Sequence, residues 1–333
     1  MNETTKKLLE LISQGKTVNQ ISDTMGISHK RLFNYLTMIR NKGFNFDRKY
    51  YDTGDIVYVP KKTIVPKEYQ GTNIITDRRG TSYTAMVISD LHFGSGFEIE
   101  KIMDKIYDYC VKNGIHNIIC CGDLIDGTFS RVKQRICDPY DQTEYFLKNY
   151  PFDKSILTFT VLGDHDYSVL LQTGQDFSQV LDNYRHDIVS LGYGMGFLNI
   201  KKSVITVKHY ISNIEVPQIK NGLVLKGHSH SSKFNCFSSC SNVEVPSLSK
   251  LNLNQGDSNG LPGAYIITLD FRNDDIKNVT FKQLVILDSI YCINEIVYPF
   301  YGGSGFSFDN IEDYSLSSDA SKSKWQKVRD KMV

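Results

Sequence analysis

The sequence lacks two features that define large classes of protein: a long apolar run and a secretion signal. No stretch approaches the roughly 20 apolar residues that span a bilayer, so we expect no membrane partner. The first residues carry two lysines and a short apolar run without a small-residue cleavage site, which is not typical of a signal peptide. We therefore expect a cytoplasmic protein. Its 333 residues suit one large α/β domain and a small partner domain.

A cysteine framework is also missing. The seven cysteines are odd in number, and their spacing gives neither disulfide pairs nor Cys-x-x-Cys zinc knuckles. We expect reduced thiols. Cys120 and Cys121 end an apolar run, which predicts burial and no chemistry.

Strong charge of one sign is absent overall, because the net charge is only +1. The charges are nevertheless uneven: residues 1–62 hold 11 Lys or Arg against 6 Asp or Glu, and the remainder holds 27 against 31. A basic front end suits contact with nucleic acid, although such a surplus is also common on solvated helices.

The front end has the periodicity of three short helices. Apolar residues recur at helical spacing from Thr5 to Ser13, Thr17 can cap a second helix, and Ser28 can cap a third. A two-residue period around the turn at residues 52–55 then predicts a hairpin. This pattern resembles winged helix-turn-helix domains, and it predicts DNA contact through the third helix. The outward-facing candidates are Lys30, Arg31, Asn34 and Arg40. A protein-docking module is the alternative.

Further along, several predicted strands end in acidic or histidine residues. Three apolar runs lead into Asp90-Leu91-His92, Gly122-Asp123 and Gly163-Asp164-His165. Two later strands lead into His209 and into Gly227-His228-Ser229-His230. Sites in open α/β sheets form at the carboxyl ends of strands, so these side chains should converge. Carboxylates and imidazoles suit Mn²⁺, Fe²⁺ or Zn²⁺, and a shared carboxylate can hold two ions roughly 3.5 Å apart.

These five blocks, in this order, resemble the calcineurin-like metallophosphoesterase family over roughly residues 83–287. The resemblance implies an α/β/β/α sandwich of two mixed sheets and two divalent metal ions, with Mn²⁺ the expected metal. One ion would be held by Asp90, His92 and His230, and the other by Asp164, His209 and His228. Asp123 would bridge the two. His209 has the least specific motif of these ligands, because it is a single histidine at the end of a predicted strand.

The resemblance also implies the catalytic roles. His165 would bind the scissile phosphate or protonate the leaving oxygen, while a metal-bound hydroxide attacks phosphorus. Asp126 would orient His165 and raise its pKa. Asp164 departs from the family, which usually has Asn there. The extra negative charge should strengthen metal retention and weaken attraction for phosphate.

Together these readings predict four segments: a winged helix-turn-helix-like domain at 1–62, a linker at 63–82, a metallophosphoesterase domain at 83–298 and a flexible, basic tail at 299–333. The family cleaves monoesters and diesters on one metal core, so the ligands do not name the substrate. The basic front end favours a phosphodiesterase or nuclease acting on DNA. No Arg follows Asp126, where the family's protein phosphatases place a phosphate-binding Arg, although Arg131 or Arg135 could supply that contact. The alternatives are a phosphatase or nucleotide phosphodiesterase with a protein-docking front domain, and a DNA-binding accessory protein with a weakened site.

Overall fold

The computed structural model describes residues 3–40, 46–60, 71–76, 80–128, 134–212, 222–237, 240–250 and 261–299. Arg131 and almost all of the predicted tail lie outside these residues. No helix in the described part has the length and hydropathy of a membrane span.

The front end contains the three predicted helices and the hairpin. They are α1 (Glu3–Ser13), α2 (Val18–Met25), α3 (His29–Arg40), β1 (Phe46–Tyr51) and β2 (Ile56–Pro60). Thr17 and Gln20 form a reciprocal capping box at the start of α2, and Gly26 ends that helix in the left-handed conformation. Likeness to winged-helix domains remains a prediction.

The rest of the described chain alternates strands and helices. The remaining helices are α4 (Ile102–Lys112), α5 (Pro139–Asn149), α6 (Asp164–Thr173) and α7 (Phe177–Tyr184). The remaining strands are β3 (Thr72–Ile75), β4 (Ser82–Ile88), β5 (Asn117–Cys120), β6 (Leu157–Leu162), β7 (Ile188–Tyr193), β8 (Met195–Ile200), β9 (Ser203–Lys208), β10 (Gly222–Lys226), β11 (Lys233–Phe237), β12 (Cys240–Glu244), β13 (Gly263–Arg272), β14 (Asp275–Ile286) and β15 (Ile290–Pro299).

The strands form two mixed sheets, which confirms the predicted fold class. The eight-stranded sheet has the order β11-β12-β10-β9-β8-β3-β1-β2, and the seven-stranded sheet has the order β15-β14-β13-β4-β5-β6-β7. One hydrophobic core joins residues of both sheets, including Val87, Phe159 and Leu225. A second core lies between the seven-stranded sheet and helices α4–α7. Burial of these two apolar layers is the main force that holds the sheets and helices together.

Some strands differ from the sequence-based expectation. Strand β15 was not expected, and neither were β7 and β8. Most of β15 is exposed, so its sequence lacks the buried pattern that marks an interior strand.

The front hairpin is part of the eight-stranded sheet. Strand β3, within the segment predicted as a linker, pairs in parallel with both β1 and β8. Residues such as Leu8, Leu32 and Tyr58 belong to the same core as the two sheets. The first 60 residues therefore share their core with the rest of the chain.

The front helices dock at the end of the seven-stranded sheet where strands β5, β6 and β7 begin. The Phe33 ring stacks on that of His186, with centroids 4.2 Å apart, just before β7. Asn19 Nδ2 donates to the main-chain oxygen of Lys154, before β6, over 3.3 Å. Arg48 forms an ion pair of 2.5 Å with Asp182, in α7. These contacts fix α2, α3 and β1 against the larger part of the chain.

Candidate metal centre

The predicted ligands meet at the carboxyl ends of the strands, whereas the front helices dock where β5, β6 and β7 begin. Asp90 follows β4, Asp123 follows β5 and Asp164 follows β6, while His209 follows β9 and His228 follows β10. Because β4, β5 and β6 run parallel, their carboxyl ends lie at one edge of the seven-stranded sheet. The parallel pair β9 and β10 ends at the same place in the other sheet. The site is therefore built where the two sheets come together.

The ligand atoms form two adjacent groups, and within each they lie within 4.8 Å of one another. One contains Asp90, His92 and His230, and the other contains Asp123, Asp164, His209 and His228. This grouping in space is the one that the resemblance implies.

Asp123 lies between the groups. Its Oδ2 atom is 3.1 Å from His209 Nε2 and 3.8 Å from His92 Nε2. A carboxylate in this position has the geometry of a shared ligand.

The histidine tautomers test whether these residues fit a cation. The Nδ1 atom of His209 lies 2.6 Å from the main-chain oxygen of Cys121, and because a carbonyl only accepts, Nδ1 carries the proton. Nε2 faces carboxylate oxygens of Asp123 and Asp164, each 3.1 Å away, and although burial lowers the pKa of His209, these two residues raise it well above its ordinary value. A neutral ring would present its Nε2 lone pair to these oxygens. Acceptors that face one another repel unless a proton or a cation lies between them. A histidine that donates its other N–H to a carbonyl is also the usual arrangement of a metal ligand, so the donor set fits a metal ion.

Backbone strain is concentrated at the same residues. Five predicted ligands have positive φ angles: Asp90 (55°), His92 (48°), Asp123 (55°), His228 (75°) and His230 (53°). Only four other non-glycine residues in the described part of the chain share this left-handed conformation. It costs free energy and persists where the surrounding structure enforces it, commonly at functional sites.

Two glycines leave the space that His209 needs. A Cβ atom on Gly163 would lie 2.7 Å from His209 Nε2, and one on Gly227 would lie 2.7 Å from His209 Nδ1. Both distances are shorter than van der Waals contact. The packing of the imidazole therefore requires glycine at both positions. This packing supports His209 as a proposed ligand, for which the sequence offered only a single histidine at a strand end.

His165 lies beside the first group, with its ring centroid 4.4 Å from that of His92. Its Nδ1 atom donates to the main-chain oxygen of Asp126 over 2.6 Å. Burial lowers the pKa of His165, but the charge of Asp123 and the hydrogen bond to Asp126 outweigh this effect and raise it. Nε2 is then the ring nitrogen left to exchange a proton.

Asp126 contacts His165 through its main chain, and its carboxylate has a second set of neighbours. Asp126 orients His165 through its main-chain oxygen, whereas its Oδ2 accepts a hydrogen bond of 2.9 Å from Gln134. Its Oδ1 lies 3.7 Å from His92 Nδ1. Burial raises the pKa of Asp126, against the hydrogen bond from Gln134. The carboxylate thus lies near both a predicted ligand and the predicted catalytic histidine, with an oxygen within 4.8 Å of a ring nitrogen of each, and its charge also raises the pKa of His165.

Asp166 is a supporting residue that sequence reasoning missed. Its buried carboxylate accepts hydrogen bonds from the main-chain nitrogens of Leu124, Ile125 and Gly163, over 2.9–3.1 Å. These bonds tie together the loops that carry Asp123 and Asp164. Burial and then the charge of Asp123 raise the pKa of Asp166 to about 7, although the three donors favour the ionised form. Its position in the sequence, two residues after Asp164 in the same motif, could have identified Asp166 as part of the site.

Other predicted residues lie away from the metal groups. Lys30, Arg31 and Asn34 are exposed on α3. The side chain of Arg40 lies outside the described part. Arg135, considered as a phosphate ligand, is instead held by Glu98 at 2.7 Å and Glu100 at 2.8 Å. Tyr210 was not considered, and its exposed ring lies 5.1 Å from that of His228.

Comparison with known proteins adds a family assignment. The family model described as calcineurin-like phosphoesterase matches residues 83–257, which is more than half of the chain. No curated protein matches the sequence.

Three solved structures illustrate the similarity. Vps29 from Entamoeba histolytica, solved with zinc, is 14% identical with a TM-score of 0.38, and the match covers 64% of this chain and 98% of that one. YfcE, a phosphoesterase from E. coli, gives the same four values. An archaeal phosphodiesterase is 13% identical with a TM-score of 0.37, covering 61% of this chain and 99% of that one.

Proposed function

The chain belongs to the calcineurin-like phosphoesterase family, and on that premise we propose that it is a dinuclear-metal-dependent phosphodiesterase. The observation that carries the proposal is the position of Asp123 between two groups of carboxylate and imidazole ligands. Asp90, His92 and His230 would hold one ion, Asp164, His209 and His228 the other, and Asp123 would contact both. Mn²⁺ is the proposed metal, and Fe²⁺ and Zn²⁺ suit the same donors.

Two bound divalent ions would supply Lewis acidity to the phosphate and to the attacking water. The chain's own residues then handle orientation and the proton. The hydrogen bond from Nδ1 to Asp126 fixes the His165 ring, and the raised pKa favours a proton on its Nε2. We propose that His165 donates this proton to the leaving oxygen, as a general acid does.

A diester is favoured over a monoester because the described part of the site, which leaves out Arg131, offers little extra positive charge. A monoester carries up to two negative charges, and the family's phosphatases use an arginine for them. Here Gly127 follows Asp126, and Arg135 is neutralised by two glutamates. Asp164 adds a negative charge to the site. Each of these features disfavours the more highly charged substrate.

The sharpest test measures metal content and substrate choice together. We expect two ions per chain at saturating Mn²⁺, and faster turnover of a phosphodiester chromogen than of a phosphomonoester chromogen. Single-stranded and duplex DNA belong in the same assay. A single ion per chain would contradict the role of Asp123, and faster monoester turnover would favour the phosphatase alternative.

DNA is the proposed partner of the front helices, through the exposed side chains of Lys30, Arg31 and Asn34. This surface does not lie beside the metal centre, because α3 docks where the parallel strands begin and the ligands follow where they end. Six residues of β6 separate the two ends by about 20 Å. DNA bound at α3 would therefore tether the enzyme to the polymer. The phosphodiester bond that is cleaved would have to reach the metal centre from another part of the same polymer.

Charge reversal tests this proposal without removing helices that share the core. Lys30→Glu with Arg31→Glu should weaken DNA binding and reduce its salt dependence, because each lost phosphate contact lowers counterion release. Turnover of a small diester should not change. Lys6→Glu with Lys7→Glu on exposed positions of α1 changes the net charge equally and serves as the control. Equal DNA affinity in both double variants would favour the protein-docking alternative.

A further inference from the structure

A cavity of about 200 Å³ lies between the two sheets at their open edge. We call it the edge cavity. It is lined from β13, β14 and β15 of one sheet, and from β11 and the residue before it in the other. The side chains that define its chemistry are Ser232, Phe234, Tyr265, Phe281, Gln283 and Asn294.

The lining combines aromatic faces with amide groups. Phe234 and Phe281 come from different sheets, and their ring centroids are 4.7 Å apart at 62°. Gln283 Nε2 donates to Ser232 Oγ over 2.6 Å, and Ser232 Oγ lies 2.7 Å from the Tyr265 hydroxyl. This chain of bonds fixes the glutamine amide. An amide offers a donor and an acceptor side by side, the pattern that matches the edge of a nucleobase, and aromatic rings hold the face of a base.

The cavity lies to one side of the proposed metal centre. Ser232 is two residues beyond the predicted ligand His230, which places it within about 7 Å along the chain. Tyr265 pairs with Val87, three residues before Asp90, and Gln283 pairs with Tyr265. Strand β14 is two strands from β4, so Gln283 lies roughly 10 Å to the side of Val87 and about 10 Å along the strand from Asp90. Ser232 forms the wall of the cavity nearest the metals, and a base joined by one sugar to a phosphate there would enter the cavity at this wall.

We propose that the edge cavity binds the base of a nucleotide whose phosphate is cleaved at the metal centre. This inference rests on the proposed phosphodiesterase function and names its substrate class as nucleoside phosphodiesters. The sugar would pass over the loop from His230 to Ser232.

Two chromogenic diesters test the proposal, because they differ only in the nucleoside. Thymidine 5′-(4-nitrophenyl phosphate) and methyl 4-nitrophenyl phosphate release the same leaving group. We expect kcat/KM to be at least about tenfold higher for the nucleoside ester, the order that base stacking supplies. Equal values for the two esters would overturn the proposal while leaving the phosphodiesterase function intact.

Three variants test whether the edge cavity causes the preference for the nucleoside ester. Ile296→Trp fills the cavity from β15 and should abolish the preference, measured as the ratio of kcat/KM for the two esters in one preparation. Val297→Trp adds the same bulk on the same strand at a residue that is exposed and does not line the cavity, so it should keep the preference. Asn294→Ala removes one amide at an exposed position with little risk to folding, and should reduce the preference severalfold. A preference that survives both Ile296→Trp and Asn294→Ala would also overturn the proposal.

A direct binding measurement distinguishes an error in the base-binding proposal from an error in the phosphodiesterase proposal. If neither ester is cleaved with metal present, the phosphodiesterase function fails. NMR titration of thymidine 5′-monophosphate against ribose 5-phosphate then decides on the cavity. Shifts of Gln283 and Asn294 with the nucleotide alone are expected, and their absence would overturn the assignment.

Discussion

The Nδ1 atom of His209 donates a hydrogen bond to the main-chain oxygen of Cys121, and this bond joins the two sheets at the metal centre. His209 follows β9 in the eight-stranded sheet, and Cys121 follows β5 in the seven-stranded sheet. The distance between the sheets therefore sets the position of one proposed ligand. Changes that alter sheet packing at this point should alter metal binding before they alter the fold.

Gly227→Ala tests that relationship. The added methyl group would collide with His209 Nδ1 and with the Cys121 carbonyl, so we expect the second metal to be lost and the Mn²⁺ content to fall toward one ion per chain. Metal analysis after gel filtration measures this. Gly114→Ala is the control, because that glycine has a positive φ of 64° and no atom near its Cβ position. It should lose some stability and keep both ions.

His165→Ala should reduce kcat for a phosphodiester by about 10²–10⁴-fold, the contribution typical of a general acid. Metal content should stay the same, because the proposed ligands are other side chains. Steady-state kinetics and elemental analysis of the same preparation check both expectations. Wild-type turnover in this variant would remove His165 from the mechanism.

Asp164→Asn should raise kcat/KM for a phosphodiester about fivefold at saturating metal. Removing one negative charge from the site strengthens attraction for phosphate by about 1 kcal/mol, and ~1.4 kcal/mol corresponds to tenfold. Metal affinity should fall, because Asp164 Oδ1 lies 3.1 Å from both His209 and His228 and would become a neutral amide oxygen. The assay is a metal titration at low substrate. A slower enzyme at every metal concentration would show that Asp164 is needed for more than its charge.

Asp166→Asn should destabilise the protein by about 1–3 kcal/mol, because an amide group would face main-chain N–H donors that now bond to a buried carboxylate. Urea unfolding measures the free energy change. Asp176→Asn is the comparison: the Asp176 carboxylate caps α7 in a half-buried position, so its loss should cost less. Asp176 also accepts three hydrogen bonds, so equal losses would mean that the deeper burial of the Asp166 carboxylate adds nothing.

Thiol reactivity should follow burial. Cys110, Cys120 and Cys121 are buried, and burial raises the pKa of Cys110 and Cys120 to about 12, so the thiolate is scarce at neutral pH. Cys137 and Cys292 are exposed. Iodoacetamide should therefore modify Cys137 and Cys292 in native protein but not the three buried cysteines, and it should modify all seven cysteines after denaturation. Peptide mapping reads the result, and rapid native modification of Cys120 would contradict the described core.

The amino-acid sequence by itself determined the local elements and the identity of the candidate site. Apolar runs that end in Asp or His mark buried strands with their carboxyl ends at the site, and Thr17 marks the start of a helix, where its side chain accepts from a main-chain nitrogen three residues on. Such signals involve residues close in the chain, so they can be read without knowing the fold. The order of five such blocks was enough to indicate the family that the match over residues 83–257 shows.

Only the tertiary structure decided how distant segments meet. Phe33 stacks on His186 across about 150 residues of chain, and this contact places α3 at the end of the sheet opposite the metal centre. The main-chain contact of Asp126 with His165, the closeness of Gly227 to His209 and the edge cavity depend likewise on packing between sheets. Hydrophobic burial is non-directional, so an apolar pattern states that a face is covered but not which partner covers it.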